Sequence, residues 1–190
     1  MVIIGITGTL GAGKGTIVDY LLQKRNFSHY SVRAFLIDEI TKLGLPINRD
    51  SMVSVANHLR QKYNPAYIVE ELYKGAIQNK KNAVIESIRT PGEIDMLTAK
   101  ENFYLLAVDA EPKLRYNRIK LRQSETDNIS FDTFIENEKR EMMNDDPNKQ
   151  NLSKCIERAD FVINNNGTID ELFIQLDTIF RNIEKGTNKQ

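Results

Sequence analysis

Residues 8–16 read Gly8-Thr9-Leu10-Gly11-Ala12-Gly13-Lys14-Gly15-Thr16 and follow the apolar run Val2-Ile3-Ile4-Gly5-Ile6-Thr7. Beyond them Ile17, Leu21 and Leu22 fall on one stripe of a helical pattern over residues 14–24. A glycine-rich turn between a buried strand and a helix, with lysine after its last spaced glycine, is a phosphate-binding loop. The glycines let backbone N–H groups turn inward around phosphate oxygens, and the helix N-terminus adds partial positive charge there. Gly8, Leu10, Gly11, Ala12, Gly13, Lys14, Gly15 and Thr16 are thus candidate nucleotide ligands. Lys14 is a candidate catalytic residue, able to reach phosphates whose charge shifts during transfer. Gly15 occupies the position next to the lysine where a hydroxyl usually stands, and Thr16 comes after it. Either Thr16 contacts a phosphate, or magnesium is held mostly through water and other groups.

Outward from the loop, short β-branched runs alternate with helical patterns, which predicts a parallel sheet with crossover helices. Strands are expected over residues 2–7, 29–32, 83–88, 103–108 and 161–163. Helices are expected over residues 35–43, from about 51 (capped by Asp50 or Ser51) towards Tyr63, over 66–78, from Pro112, over 131–143 and over 169–183. Residues 123–130 read as an exposed polar loop. The expected architecture is a three-layer α/β domain whose five-stranded parallel sheet runs in the order 2-3-1-4-5 with right-handed crossovers. Residues 1–184 are expected to form one domain with a tail at 185–190.

The chain has 190 residues, of which 41% are apolar and 27% charged, with 26 lysines and arginines against 26 acids. That is enough for one sizeable core and too little net charge for a disordered chain or a globally basic surface. Nucleic acid and anionic membranes are therefore not expected partners. No apolar stretch is long enough for a membrane span, and the N-terminus lacks a signal-peptide pattern, so a cytoplasmic chain, monomer or homodimer, is expected. Cys155 stands alone, which excludes an internal disulfide and any cysteine zinc cluster; it reads as a small buried hydrophobe. His29 and His58 have no partner at metal-ligand spacing.

Gly13-Lys14-Gly15-Thr16 resembles the loop end of the nucleoside monophosphate kinases typified by adenylate kinases. Residues 159–172, from Ala159-Asp160-Phe161 through Asn164-Asn165-Asn166-Gly167-Thr168 to Leu172, more closely resemble the end of dephospho-CoA kinases. Val84-Ile85-Glu86-Ser87-Ile88-Arg89 resembles the family's third strand, with Glu86 where an aspartate usually stands. The resemblance implies ATP as donor, Mg2+ as cofactor and a small nucleotide as acceptor, with an acceptor-binding insertion at about 33–78 and a lid-like region at about 113–145. It implies that Glu86 orients magnesium-bound water or takes a bond from the acceptor, making Thr16 and Glu86 the candidate metal residues. Arg89 would grip the acceptor phosphate, since a planar guanidinium suits bidentate contact.

Lys113, Arg115, Arg118, Lys120 and Arg122 lie within ten residues that contain no acid, with Arg115, Arg118 and Arg122 on one helix face. Such charges usually face solvent, but the segment resembles the family's lid, which implies catalytic roles for Arg118 and Arg122. Arg33, Arg49 and Arg60 are the phosphate-binding cations available in the insertion, with Arg33, Arg49 and Arg89 the candidate substrate ligands. Val32-Arg33-Ala34 stands where the family often has an Asp or a Gly-Asp pair before the helix. Asn166, in the turn 164–168, would lie under the donor base.

Together these residues lead us to expect ATP-dependent phosphoryl transfer to a nucleoside or deoxynucleoside monophosphate. A dephospho-CoA kinase is the alternative; it would need an acid as base, Glu86 or Asp38. A non-kinase nucleotide-binding module is the further one. A regulatory GTP switch is disfavoured because no Asn-Lys-x-Asp base-reading motif occurs.

Overall fold

Strand β1 (Ile3–Gly8) is buried along its whole length, and its neighbours explain why. It pairs in parallel with β3 (Ala83–Glu86) on one side and β4 (Phe103–Asp109) on the other. β2 (Ser28–Ser31) extends the sheet beyond β3, and β5 (Phe161–Asn164) beyond β4, giving the expected all-parallel order 2-3-1-4-5. The computed structural model describes residues 1–122 and 129–187, so most of the expected polar loop and the last three residues lie outside the described residues.

Alternation along β1 divides the core into two layers. Ile4 and Ile6 face α1 (Lys14–Arg25) and α9 (Ile169–Thr187), whose Ile17, Leu21, Leu172 and Leu176 complete one cluster. Ile3 faces the opposite layer, built by α2 (Val32–Lys42), α3 (Arg49–Lys62), α4 (Tyr67–Asn79), α5 (Pro91–Thr98) and α8 (Leu152–Glu157). Each of these isoleucines, fully withdrawn from water, contributes about 1.5–3 kcal/mol of transfer free energy. Cys155 of α8 is buried in the second cluster as expected, and burial pushes its thiol up to about 12.

Several boundaries differ from the sequence reading for local reasons. Val32 opens α2 rather than closing β2, because the Ser31 hydroxyl accepts from Ala34 N at 3.2 Å and caps the helix there. Asn48, not Asp50 or Ser51, caps α3, accepting from Ser51 N at 2.9 Å. α9 continues to Thr187, past the expected end at residue 183. Two short helices were not expected. α5 begins with a complete capping box between Thr90 and Glu93 and has Pro91 in its first turn; α8 is capped by Asn151. The remaining helices, α6 (Pro112–Arg122) and α7 (Phe131–Met142), pack near the loop end of the sheet. Since all strands run one way, Gly8, Glu86, Asp109 and Asn164 end at the same edge, where ligands of open α/β sheets gather.

Candidate active site

At that edge the loop 8–16 is held open by its glycines. Gly8 and Gly13 have φ of +135° and +105°, the left-handed region that a side chain disfavours. A Cβ on Gly13 would overlap the Asn165 amide, and one on Gly8 the Val108 carbonyl. Gly13 caps α1 without a side chain, so the first amides of α1 point outward unmasked.

Lys14 Nζ lies back along the loop and donates to the Gly8 and Thr9 carbonyls at 3.0 and 2.7 Å. Burial, then the nearby charge of Arg89, lowers its pKa to about 7; Glu86 and Glu141 oppose the fall. A triphosphate would restore the ammonium form.

The loop is braced from outside. Asn165 Nδ2 donates to the Ala12 carbonyl at 2.7 Å. Thr9 Oγ1 donates to Asp109 Oδ1 at 2.5 Å. Arg115 is buried and donates to the Ala110 carbonyl at 2.6 Å and to the Leu10 carbonyl at 3.3 Å. Both terminal nitrogens of Arg115 grip Glu138 of α7, and its guanidinium lies over the Phe134 ring. This corrects the grouping of Arg115 with Arg118 and Arg122: Arg115 turns inward as scaffold. Asn166 is corrected too. Its side chain accepts from Glu111 N at 2.7 Å, and the residue that reaches the loop is Asn165. Just past the end of β5, Asn165 N still donates to the Asp109 carbonyl at 2.8 Å, and the residue is buried while Asn166 is exposed.

A cavity of about 730 Å³ starts at Gly13, Lys14, Gly15 and Thr16 and extends to the second layer. Leu10, Gly11, Glu86, Arg89, Arg118, Arg122, Arg33 and Arg49 line it, so the structure brings together most of the expected residues. Asp38 is exposed on α2 and does not line it. Arg60 does not either: it is buried, donating from Nε and Nη2 to Glu93 Oε1 at 3.2 and 2.8 Å. The other Glu93 oxygen accepts from Arg89 N at 2.7 Å and Thr90 N at 3.1 Å. Arg60 therefore fixes the backbone of Arg89 through Glu93 and is not an acceptor ligand.

Glu86 accepts from Ser87 Oγ at 3.2 Å and lies 3.4 Å from His29 Nε2. Burial pushes its carboxyl upward, but the His29 bond and the Lys14 charge outweigh that and hold it below the usual carboxylate range. The sequence reading missed Glu141 of α7. It is buried at the cavity wall and accepts from both Arg49 and Arg89. Burial raises its carboxyl, yet the two arginines pull it lower than an ordinary glutamate. Gln150, which accepts from Arg89 Nη1 at 3.0 Å, was also missed. The wall formed by α2 and α3 is otherwise apolar, with Val32, Leu36, Met52, Val53 and Ala56. Arg33 reaches only the Met52 sulfur there, at 3.2 Å.

Among the described residues no group of three or more His, Cys, Asp or Glu could hold a metal ion by itself. A divalent ion here would depend on a nucleotide's own phosphates. Thr16 and the ionised Glu86, both at the cavity wall, fit that arrangement. No helix of the described residues is long and apolar enough to cross a membrane.

A phosphate loop after β1, opening into a cavity at the strand ends of a 2-3-1-4-5 parallel sheet, defines a P-loop, kinase-like α/β protein. The AAA domain family model matches residues 4–144, and a UPF0200 protein of Methanococcus vannielii is 31% identical over 96% of this chain and 97% of its own; the chain belongs to the AAA domain family and to the UPF0200 proteins. A UPF0200 protein of Methanocaldococcus jannaschii is 28% identical over all of this chain and 94% of its own. Among solved structures, a gluconokinase from Sinorhizobium meliloti covers 100% of this chain and 97% of its own at TM-score 0.62 and 14% identity. A shikimate kinase from Bacteroides thetaiotaomicron covers 95% of this chain and 98% of its own at 0.58 and 14%. At these identities the likeness concerns the fold.

Proposed function

We propose that the chain transfers the γ-phosphoryl group of ATP to a small anionic acceptor, a nucleoside or deoxynucleoside monophosphate. The observation that carries this reading is that Arg49, Arg89 and Arg118, from separate elements, share one cavity with the loop and Lys14. Small-molecule kinases among the structural neighbours support phosphoryl transfer in general. The apolar wall from Val32 to Ala56 favours an acceptor with an apolar face, such as a nucleobase, over a polyhydroxylated one.

In this reading the loop amides and Lys14 hold the donor phosphates, and Arg89 and Arg49 hold the acceptor anion. An acceptor phosphate oxygen attacks the γ-phosphorus in line, and the bond to the β–γ bridging oxygen breaks with its electron pair leaving on ADP. Lys14 and Arg118 neutralise the charge that moves with it, so catalysis is positioning and electrostatics. A magnesium ion held near Thr16 and Glu86 would add neutralisation of the donor phosphates when bound.

A second reading, transfer to a hydroxyl as in dephospho-CoA kinases, draws on Glu86, an ionised carboxylate at the cavity wall able to take the proton. ADP release from Mg-ATP, measured with the ribo- and deoxynucleoside monophosphates, dephospho-CoA and a water blank, separates them. One monophosphate far above the blank supports the first reading; dephospho-CoA alone supports the second. A panel no faster than the blank would overturn both and leave a nucleotide-binding module.

A further inference from the structure

Arg49, the first residue of α3, and Arg89, just past β3, converge on Glu141. Glu141 is 3% exposed and uses one carboxylate oxygen for each partner: Oε1 accepts from Arg49 Nη2, Oε2 from Arg89 Nη1. One anion bridging two guanidinium groups is how the phosphate or carboxylate of a ligand would be held. The trio lines the same cavity as Lys14, and donors remain unused within that cavity. Arg49 Nε and Arg118 Nη1 are buried with no hydrogen-bond partner. The cavity thus offers more N–H groups than Glu141 can take.

One turn earlier on α7, Glu138 grips Arg115, which donates to the Leu10 carbonyl of the loop. Glu138 and Glu141 share a helix face, so α7 spans the donor loop and the arginine pair. We propose that Glu141 is an internal anion: it fills the acceptor's anionic subsite in the unliganded chain and is displaced from Arg49 and Arg89 when the acceptor binds. This rests on reading the Arg49–Arg89 end of the cavity as the acceptor subsite. An uncharged acceptor cannot compete with the carboxylate, so Glu141 selects for anionic acceptors, and its displacement frees one end of α7.

Calorimetric titration of inorganic phosphate into the full chain, with a non-hydrolysable ATP analogue filling the loop, tests this. If Glu141 fills the pair nine-tenths of the time, Glu141→Gln should bind phosphate about tenfold more tightly than the wild type. Equal or weaker binding overturns the proposal, because a residue that only positions the arginines would lose affinity on substitution. Arg89→Ala should abolish the phosphate heat; a heat that survives would belong elsewhere and also overturn it. A second measurement needs no Glu141 variant. Hydrogen exchange of the α7 amides in the wild type should speed up when phosphate or a nucleoside monophosphate is added. Slowed or unchanged exchange overturns the proposal. Failure of the ATP analogue to bind would sink the phosphotransferase reading; the competition of Glu141 with phosphate at Arg49 and Arg89 is then still decided by the α7 exchange measurement.

Discussion

The side-chain amide of Asn165 donates to the Ala12 carbonyl at 2.7 Å, tying the end of β5 to the crown of the phosphate loop 153 positions earlier in the chain. The same amide occupies the space a side chain on Gly13 would need. Asn165→Ala should cost about 1–2 kcal/mol, the loss of one buried hydrogen bond. Gly13→Ala adds strain at a left-handed φ and should lose nucleotide binding altogether. Chemical denaturation and ATP titration of the two variants check this; an Asn165→Ala chain as stable as the wild type would remove the brace.

Lys14 offers a pH test. With its pKa lowered to about 7 in the free chain, it is protonated below that value and neutral above it. A bound triphosphate favours the charged form, so binding near neutrality and above must take up a proton, while binding well below it need not. ATP affinity should therefore fall as pH rises above about 7, and binding heats at about pH 8 should depend on the buffer's ionisation enthalpy. Lys14→Met should bind more weakly and lose that buffer dependence. A wild type indifferent to buffer would show that Lys14 is charged throughout. The unliganded chain carries the opposite linkage: between the lowered and ordinary pKa the unfolded state binds more protons, so this group's contribution to stability grows as pH rises.

Arg60 and Glu93 are 1% and 0% exposed as side chains, so neither charge has water to fall back on. Arg60→Ala should cost about 3–5 kcal/mol, because Glu93 would be left buried with its charge uncompensated. Arg33→Ala, at the partly open wall, should leave the melting transition within about 0.5 kcal/mol of the wild type, as surface substitutions usually do. A fluorescence or circular-dichroism denaturation series distinguishes the two; equal losses would contradict the difference in burial.

Arg115 and Arg118 stand one turn apart on α6 yet should fail in different ways. Arg115→Met breaks the contacts with Leu10 and Glu138 and should lower stability by about 2–4 kcal/mol, within the range for breaking buried polar networks. Arg118→Ala should fold normally and, if it meets the moving phosphoryl group, lower kcat by about a hundredfold or more. Melting curves beside steady-state kinetics on both variants give the answer. A stable Arg115→Met chain, or a fully active Arg118→Ala chain, would reverse the assignment.

The loop and the positions of most strands and helices could be read from the sequence because they depend on local pattern: β-branched runs, helical periodicity and glycine spacing. α5 carried a signal that was overlooked, since Thr90-Pro91-Gly92-Glu93 is a capping box with proline in the first turn. Glu141 carried none. Its partners are 92 and 52 positions away, and only the packing of α7 against the sheet edge brings them together. Arg115 shows the limit of spacing arguments: it groups residues on a face without saying whether that face meets solvent, ligand or the chain itself. Asn166 and Asn165 differ by one position, and in the turn after β5 that one position separates an exposed side chain from a buried one.

The solitary thiol of Cys155, sealed among Ile3, Leu105 and the helices of its layer, turns the molecule into its own stopwatch. Held at about 12, it has almost no thiolate at neutral pH, and no reagent can touch it while that layer stays shut. Every alkylated molecule therefore records one opening of that layer, so labelling rates with and without ligands would time how often this half of the core comes apart.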